Sequence, residues 1–314
     1  SSLPQNKSKL VYVFLSTLEE SGHLLSASAG WRVQGKFDSV RPQSEHTNAT
    51  SMEAELLRRC GESLVDFFGG ERRVNPLELL FPAEAGKATA ASVYSDTPGA
   101  RFYNGLVADA VALVVREAGT KSPGRKVRVL EVGGGTGGTT GAVLERIAAA
   151  SDAGEEGVAA EYTFTDISAS FLEGARQRFS RRWRGGAAGR VGMEYGTLDI
   201  EREPGRQGYE RHSYDVVVAA NVLHATRDVR AALRNVLALL RPGGCLVALE
   251  IVVRDLWLDV VFGLLDGWWR FEDTDLRPDG PTMGHRGWRR ALAEAGFAHE
   301  AVVPEGSRRA VIAA

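Results

Sequence analysis

Cysteine is almost absent: Cys60 and Cys245 are the only two in 314 residues. Two thiols make neither a disulfide framework nor a zinc site, and the expected compartment is the reducing cytoplasm. No apolar run approaches the ~18 residues that a membrane-crossing helix needs. The opening Ser-Ser-Leu-Pro-Gln-Asn-Lys lacks the apolar stretch of a secretory signal. Neither sign of charge is in excess: 38 Lys and Arg against 40 Asp and Glu leave a net charge of −2. That argues against a nucleic-acid binder, whose affinity comes mainly from surplus cations. Lysine is scarce too, confined to positions 7, 9, 36, 87, 121 and 126, so most of the basic charge is arginine. With 36 glycines, this fits a GC-rich coding bias rather than a phosphate-binding surface. What is present is globular, 44% hydrophobic and 25% charged, which excludes wholesale disorder. At ~150 residues per domain the length suggests about two units. The abrupt ends at Ser1 and Ala314 read as a segment of a longer polypeptide.

Two regimes follow along the chain. Residues 1–120 read as short helices between polar stretches: Lys9–Glu20, Met52–Phe68 stopping at Gly69-Gly70, and Asn104–Glu117, with a loop over 35–50. From Arg125 short apolar runs alternate with helical stretches. Strands are expected at Val127–Val132, Tyr162–Thr165, Val191–Thr197, Val216–Ala219 and Cys245–Val252, with helices at Thr139–Ala149, Ser168–Phe179 and Arg227–Leu240. The tail adds a helix at Trp288–Ala295 and strands at Phe297–Val303 and Arg309–Ile312. Residues 153–156 and 185–189 read as surface loops. Strand–helix alternation of this kind argues a parallel sheet with crossover helices.

The strongest local signal is Leu130-Glu131-Val132-Gly133-Gly134-Gly135-Thr136-Gly137-Gly138-Thr139-Thr140, a buried strand running through glycines into a helix. In a doubly wound sheet such a loop lies where ligands bind, and glycine permits positive φ and close approach. No Gly-Lys-Ser/Thr follows, which argues against ATP hydrolysis. Asp166, ending the second strand, suits the diol of a ribose, and suits equally an N-cap of the next helix. Asp199 after the third strand could accept an adenine amine, and Asn221-Val222-Leu223-His224 follows the fourth. Polar groups at four successive strand ends thus converge on one crevice.

These segments resemble class I S-adenosylmethionine-dependent methyltransferases, and among them the methyltransferase domains embedded in modular, myxobacterial-type polyketide synthases. The likeness rests on Leu130–Thr140, Tyr162–Ser168, Ala219–Thr226, Leu240-Arg241-Pro242-Gly243-Gly244, Phe262–Trp269 and Thr274-Asp275-Leu276-Arg277-Pro278. Leu80-Phe81-Pro82, Tyr94–Pro98 and Tyr103-Asn104 resemble the family's N-terminal lid. Gly134 stands where many relatives carry Ala, a departure expected to leave the loop chemistry intact.

The resemblance implies an α/β, Rossmann-like seven-stranded sheet, its last strand antiparallel, over 121–314, with a helical lid over 1–120. It implies S-adenosylmethionine as cofactor and a substrate carried on the phosphopantetheine arm of an acyl carrier protein, among neighbouring polyketide synthase domains. By the same likeness Glu131, Gly133, Gly135, Gly137, Asp166, Ile167, Asp199 and Asn221 are the cofactor-binding residues. The glycines would lie against the methionine part and Asn221 near its end.

His224 is the candidate general base, because an imidazole titrates near neutral pH. Glu250, near the end of the fifth strand, would hold its tautomer, as the His–Glu pair does in these relatives. Tyr103 is a candidate donor to a substrate oxygen or a packing residue. Phe262, Trp268, Trp269 and Phe271 are core and lid packing or a wall of an acyl tunnel. The spacing shows no set of metal ligands. Two acceptors fit, a β-hydroxyl oxygen or the α-carbon of a β-ketoacyl thioester. Overall likeness to the O-methylating domains of stigmatellin synthase leans the reading to oxygen, with carbon as the alternative and an inactive docking scaffold as a second.

Overall fold

In the computed structural model the described residues are 5–27, 30–34, 51–69, 74–82, 89–152, 158–181, 183 and 191–314. The expected loops at 35–50, 153–156 and 185–189 lie outside them. Elements run α1 (Gln5–Glu20), β1 (Leu24–Ala27), β2 (Gly30–Val33), α2 (Met52–Glu62), α3 (Leu64–Phe68), α4 (Pro76–Leu80), α5 (Ala90–Ser95) and α6 (Pro98–Lys121). Then come β3 (Val127–Val132), α7 (Gly138–Asp152), β4 (Ala160–Thr165), α8 (Ala169–Phe179), β5 (Val191–Gly196), β6 (Tyr214–Ala220), α9 (Val229–Leu239) and β7 (Leu240–Ile251). The chain closes with α10 (Leu256–Phe262), α11 (His285–Ala295), β8 (Ala301–Val303) and β9 (Arg309–Ala313). Among the described residues no helix is long and apolar enough to cross a membrane.

Two compact units result: Ser1–Val93 with Asp255–Trp269, and Tyr94–Arg254 with Arg270–Ala314. The first holds a small helical core that includes Leu10, Leu56, Leu80 and Leu258, all buried. The expected single helix over 52–68 breaks at Ser63, whose hydroxyl donates to the carbonyl of Arg59 (3.0 Å) while its N–H donates to that of Cys60. Phe262 and Trp268 pack with ring centroids 5.7 Å apart. Both indole N–H groups are satisfied inside this unit, Trp268 on Asp259 (2.9 Å) and Trp269 on the carbonyl of Gly263 (2.8 Å).

The second unit carries a seven-stranded sheet in the order β5-β4-β3-β6-β7-β9-β8. Strands β3 to β7 pair in parallel, and β9, the last in sequence, is antiparallel to both neighbours. Side chains alternate faces with a period of two. Leu130, Val132, Val217, Ala219, Leu246 and Ala248 pack with α9 and α11 on one face. Val127, Val129, Val216, Val218, Val247 and Leu249 pack with α6, α7 and α8 on the other. Burial on both faces is why these strands read as continuous apolar runs.

Helix α6 starts at Pro98, earlier than its apolar stripe suggested. Thr97 accepts from the N–H of Ala100 (3.2 Å), and proline suits the first helical position because its missing N–H has no partner there. Buried positions Ala100, Asn104, Val107, Ala108, Val111, Ala112 and Val115 lay one face of α6 on the sheet. The helix therefore belongs with the sheet, whereas the sequence drew its division at residue 120. The carboxyl ends of β3, β4, β5, β6 and β7 share one edge, which sets the stage for the site.

Candidate active site

Past the strand ends the backbone continues to pair. Gly134 N–H donates to the carbonyl of Thr165 (2.9 Å) and Asn221 N–H to that of Leu249 (2.7 Å). The glycine loop is thus tied to β4, and the turn after β6 to β7. Gly133, Gly135 and Gly137 have φ of 60°, 53° and 75°, a region that disfavours any side chain. A Cβ on Gly133 would stand 2.7 Å from Val222, so loop and turn touch. A Cβ on Gly135 would meet nothing nearer than a carbonyl at 3.9 Å, so the loop is open on that side.

Gly134 is closely packed. Its Cβ would fall 2.2 Å from Phe164, which is fully buried, so alanine does not fit. Gly134→Ala should cost about 1–3 kcal/mol of stability by overpacking, and Phe164→Leu in the same chain should recover part of it. Urea denaturation checks both; an unchanged midpoint in Gly134→Ala would show that Phe164 yields.

Asp166 is buried, and both its oxygens are used. The N–H of Gly135 donates to Oδ2 (2.9 Å) and that of Ser168 to Oδ1 (2.8 Å). Burial raises its carboxyl above the ordinary range, offset in part by these donors. Each oxygen retains a lone pair, so the carboxylate braces the loop and can accept more. Ile167 beside it is an exposed apolar side chain, 68% accessible. Asp199 follows β5. Its Oδ1 accepts from Glu201 N–H (3.0 Å) and its Oδ2 pairs with Arg202 (3.2 Å), while its own N–H donates to Gln207 (2.8 Å). Asn221 adopts φ 56°, and its buried Oδ1 has no hydrogen-bond partner among the described residues.

Glu131 turns inward, 1% exposed, and accepts from the Thr140 hydroxyl (2.6 Å) at the start of α7. Burial pushes its carboxyl up to about 7; Thr140 pulls it down and the charge of Asp166 raises it further. The unfolded chain releases this proton near the ordinary value of 4.5, the folded chain only near 7. Its contribution to stability is therefore full below pH 4.5 and lost as pH rises towards 7. Glu131→Gln should remove this loss, which is on the order of a few kcal/mol. Melting temperatures across that window test it, and parallel curves for wild type and variant would contradict it.

After Asn221 a short 3-10 turn, Leu223–Ala225, carries His224. Its Nδ1 lies 2.6 Å from Oε2 of Glu250, with the side chains 4% and 0% exposed. Oε1 of Glu250 accepts from the N–H groups of Val222 (3.2 Å) and Leu223 (2.8 Å). A carboxylate only accepts, so Nδ1 carries the proton and the basic lone pair is on Nε2. A base held in one tautomer, one turn from an open glycine loop, is suited to removing a proton from a bound molecule.

Tyr103 is not brought to this pair. It sits half-buried on α6, edge-on to Phe102 at 5.2 Å, and no hydrogen bond joins it to His224 or Glu250 among the described residues. Tyr94 feels the charge of Glu250, and burial pushes its hydroxyl well above its ordinary range. Its carbonyl accepts from Asn104 (3.0 Å), and Asn104 accepts in turn from the Thr139 hydroxyl (2.9 Å). Arg277, fully buried and donating to the carbonyl of His224 (2.6 Å), is another participant to which the sequence assigned no role. Its signals were its place in the Thr274–Pro278 segment of the family likeness and an acidic residue, Asp273, four positions earlier, the spacing of a paired helical turn.

The profile of the methyltransferase domain family matches residues 130–246. The polyketide synthase ThaG of Burkholderia thailandensis is 39% identical over 293 residues, 91% of this chain but 5% of that synthase. The chain thus spans a small part of the length of the curated relatives it matches. Among solved structures, the CurJ carbon methyltransferase is 35% identical with a TM-score of 0.81, over 99% of this chain and 80% of that one. The DszA carbon methyltransferase is 28% identical with a TM-score of 0.82, over 99% and 79%. The trans-methyltransferase CalH, solved with S-adenosylhomocysteine, is 31% identical with a TM-score of 0.65, over 86% and 69%. The chain belongs to the S-adenosylmethionine-dependent methyltransferases, and within them to the methyltransferase domains of polyketide synthases.

Proposed function

We propose that this chain methylates the α-carbon of a β-ketoacyl group carried on the phosphopantetheine arm of an acyl carrier protein, with His224 as the base. The buried His224–Glu250 pair at the crevice edge carries this reading.

The residues at the strand ends fit the cofactor, whose sulfonium supplies an electrophilic methyl group. Asp166 has lone pairs left for the ribose diol, and the exposed Ile167 offers the adenine an apolar face. Asp199 would take the adenine amine. The unpartnered Oδ1 of Asn221 suits the ammonium of the methionine part, and Gly133, Gly135 and Gly137 keep the loop backbone accessible beside it. Glu131 would act through Thr140 and the loop, since its carboxylate faces inward.

Alignment of the two reactants can supply up to ~7–11 kcal/mol of the barrier in the best cases. His224 Nε2 takes the α-proton, and Glu250 holds Nδ1–H and stabilises the imidazolium that forms. Carbon is favoured over oxygen on two grounds. CurJ and DszA, which match nearly the whole chain, are carbon methyltransferases, whereas the likeness to the stigmatellin synthase domains has no specific support here. The α-proton lies between two carbonyls and is acidic enough for one imidazole, while an alcohol is a far weaker acid.

The test offers the chain β-ketoacyl and β-hydroxyacyl carrier proteins with S-adenosylmethionine and reads intact mass. A gain of one methylene on the β-ketoacyl form alone is expected. The same gain on the β-hydroxyacyl form alone would return the acceptor to oxygen.

A further inference from the structure

We propose that Arg277, paired with Asp273, is a positioning residue for methyl transfer: its guanidinium fixes the main-chain turn that presents His224 to Glu250. This rests on the reading of His224 as the base.

Arg277 is fully buried, unusual for a charged side chain, and its two terminal nitrogens both donate to one short segment. One terminal nitrogen donates to the carbonyl of His224 (2.6 Å). The other donates to the carbonyls of Thr226 (2.8 Å) and Arg227 (3.0 Å). Nε and the second terminal nitrogen also pair with Asp273. The other oxygen of Asp273 accepts from the N–H of Val229 (2.9 Å) in the first turn of α9. The stretch from His224 to Val229 is therefore held at both ends by one ion pair. The guanidinium plane also lies over the ring of Phe271, 5.3 Å from its centroid.

A second observation points the same way. Arg277 feels the charges of Glu250 and Asp228 as well as that of Asp273. One cation thus faces three carboxylates, and the imidazolium formed when His224 accepts a proton offsets part of that excess. With Asp228 the surroundings stay net negative, which favours a positive charge on His224. Lysine keeps the charge but has a single nitrogen, so it cannot span three carbonyls and a carboxylate as the planar fork does.

The test uses R277K and D273N in the intact chain. Turnover is expressed per site titrated with S-adenosylmethionine, so that misfolded protein does not count. R277K is expected to keep cofactor affinity within a few-fold and KM for the β-ketoacyl carrier protein unchanged, while kcat falls about 10²-fold, the cost of misplacing a catalytic group. A low-field proton resonance of the His224 Nδ1–H, expected in wild type from its 2.6 Å contact with Glu250, should disappear or move upfield. D273N should show the same pattern at smaller size, and it carries the test if R277K does not fold. Wild-type kcat per titrated site, with the resonance unmoved, would overturn the proposal even if stability fell. A wild type that transfers no methyl group but shows the low-field resonance would instead refute the reading of function and leave the clamp standing.

Discussion

His224→Ala is expected to lower single-turnover methyl transfer by about 10²–10⁴-fold, the usual contribution of a positioned general base, and to leave S-adenosylmethionine affinity near the wild-type value. The separation follows from position. His224 lies on the turn after Asn221, whereas the glycine loop is braced independently by Asp166 through Gly135. Glu250 retains two backbone donors, Val222 and Leu223, in the variant, so its carboxylate is not stranded. Calorimetry and rapid quench on one preparation measure both halves. A fully active variant would remove His224 from the mechanism, and a variant that binds no cofactor would show that the turn is part of the cofactor seat.

Glu250→Gln is expected to cost as much or more, with little loss of stability. The amide oxygen can still accept from Val222 and Leu223, which hold the carboxylate at 3.2 and 2.8 Å. Its NH2 then faces Nδ1, where Oε2 stood at 2.6 Å. A donor there forces Nδ1 to accept, which places the proton on Nε2 and abolishes the base. The same tautomer inversion in a serine protease triad costs about 10⁴ in kcat, and a comparable fall is expected here. Glu250→Ala should differ by also unfolding easily, because the buried N–H groups it strands cost about 1–3 kcal/mol each. Equal activity in Glu250→Gln and wild type would mean that the pair is structural.

The sheet and the glycine loop were legible in the sequence because strands buried on both faces leave uninterrupted apolar runs such as Val216–Ala219, which glycine and polar residues then end. His224 and Glu250 were legible through the family likeness, and the structure brings their side chains together. The β1–β2 hairpin was not legible: its residues are mostly exposed, so no alternation marks it. Nor was the break at Ser63, since Leu64, Val65 and Phe68 continue a helical spacing across it and only a local hydrogen bond resets the axis. The close packing at Gly134 was not legible, because the side chain an added Cβ would meet, Phe164, comes from the neighbouring strand. Tyr103 was read as a donor to a substrate oxygen or a packing residue, and its spacing on α6 carries no signal that separates the two. Arg277 escaped because the atoms it holds are backbone carbonyls, which leave no trace in side-chain spacing.

The most direct test of the account is a structure of the chain with S-adenosylhomocysteine. The ribose is expected on Asp166, the adenine beside Ile167, and the sulfur directed towards the turn that carries His224. A sulfur directed away from His224, or a nucleoside bound elsewhere than this sheet edge, would contradict it.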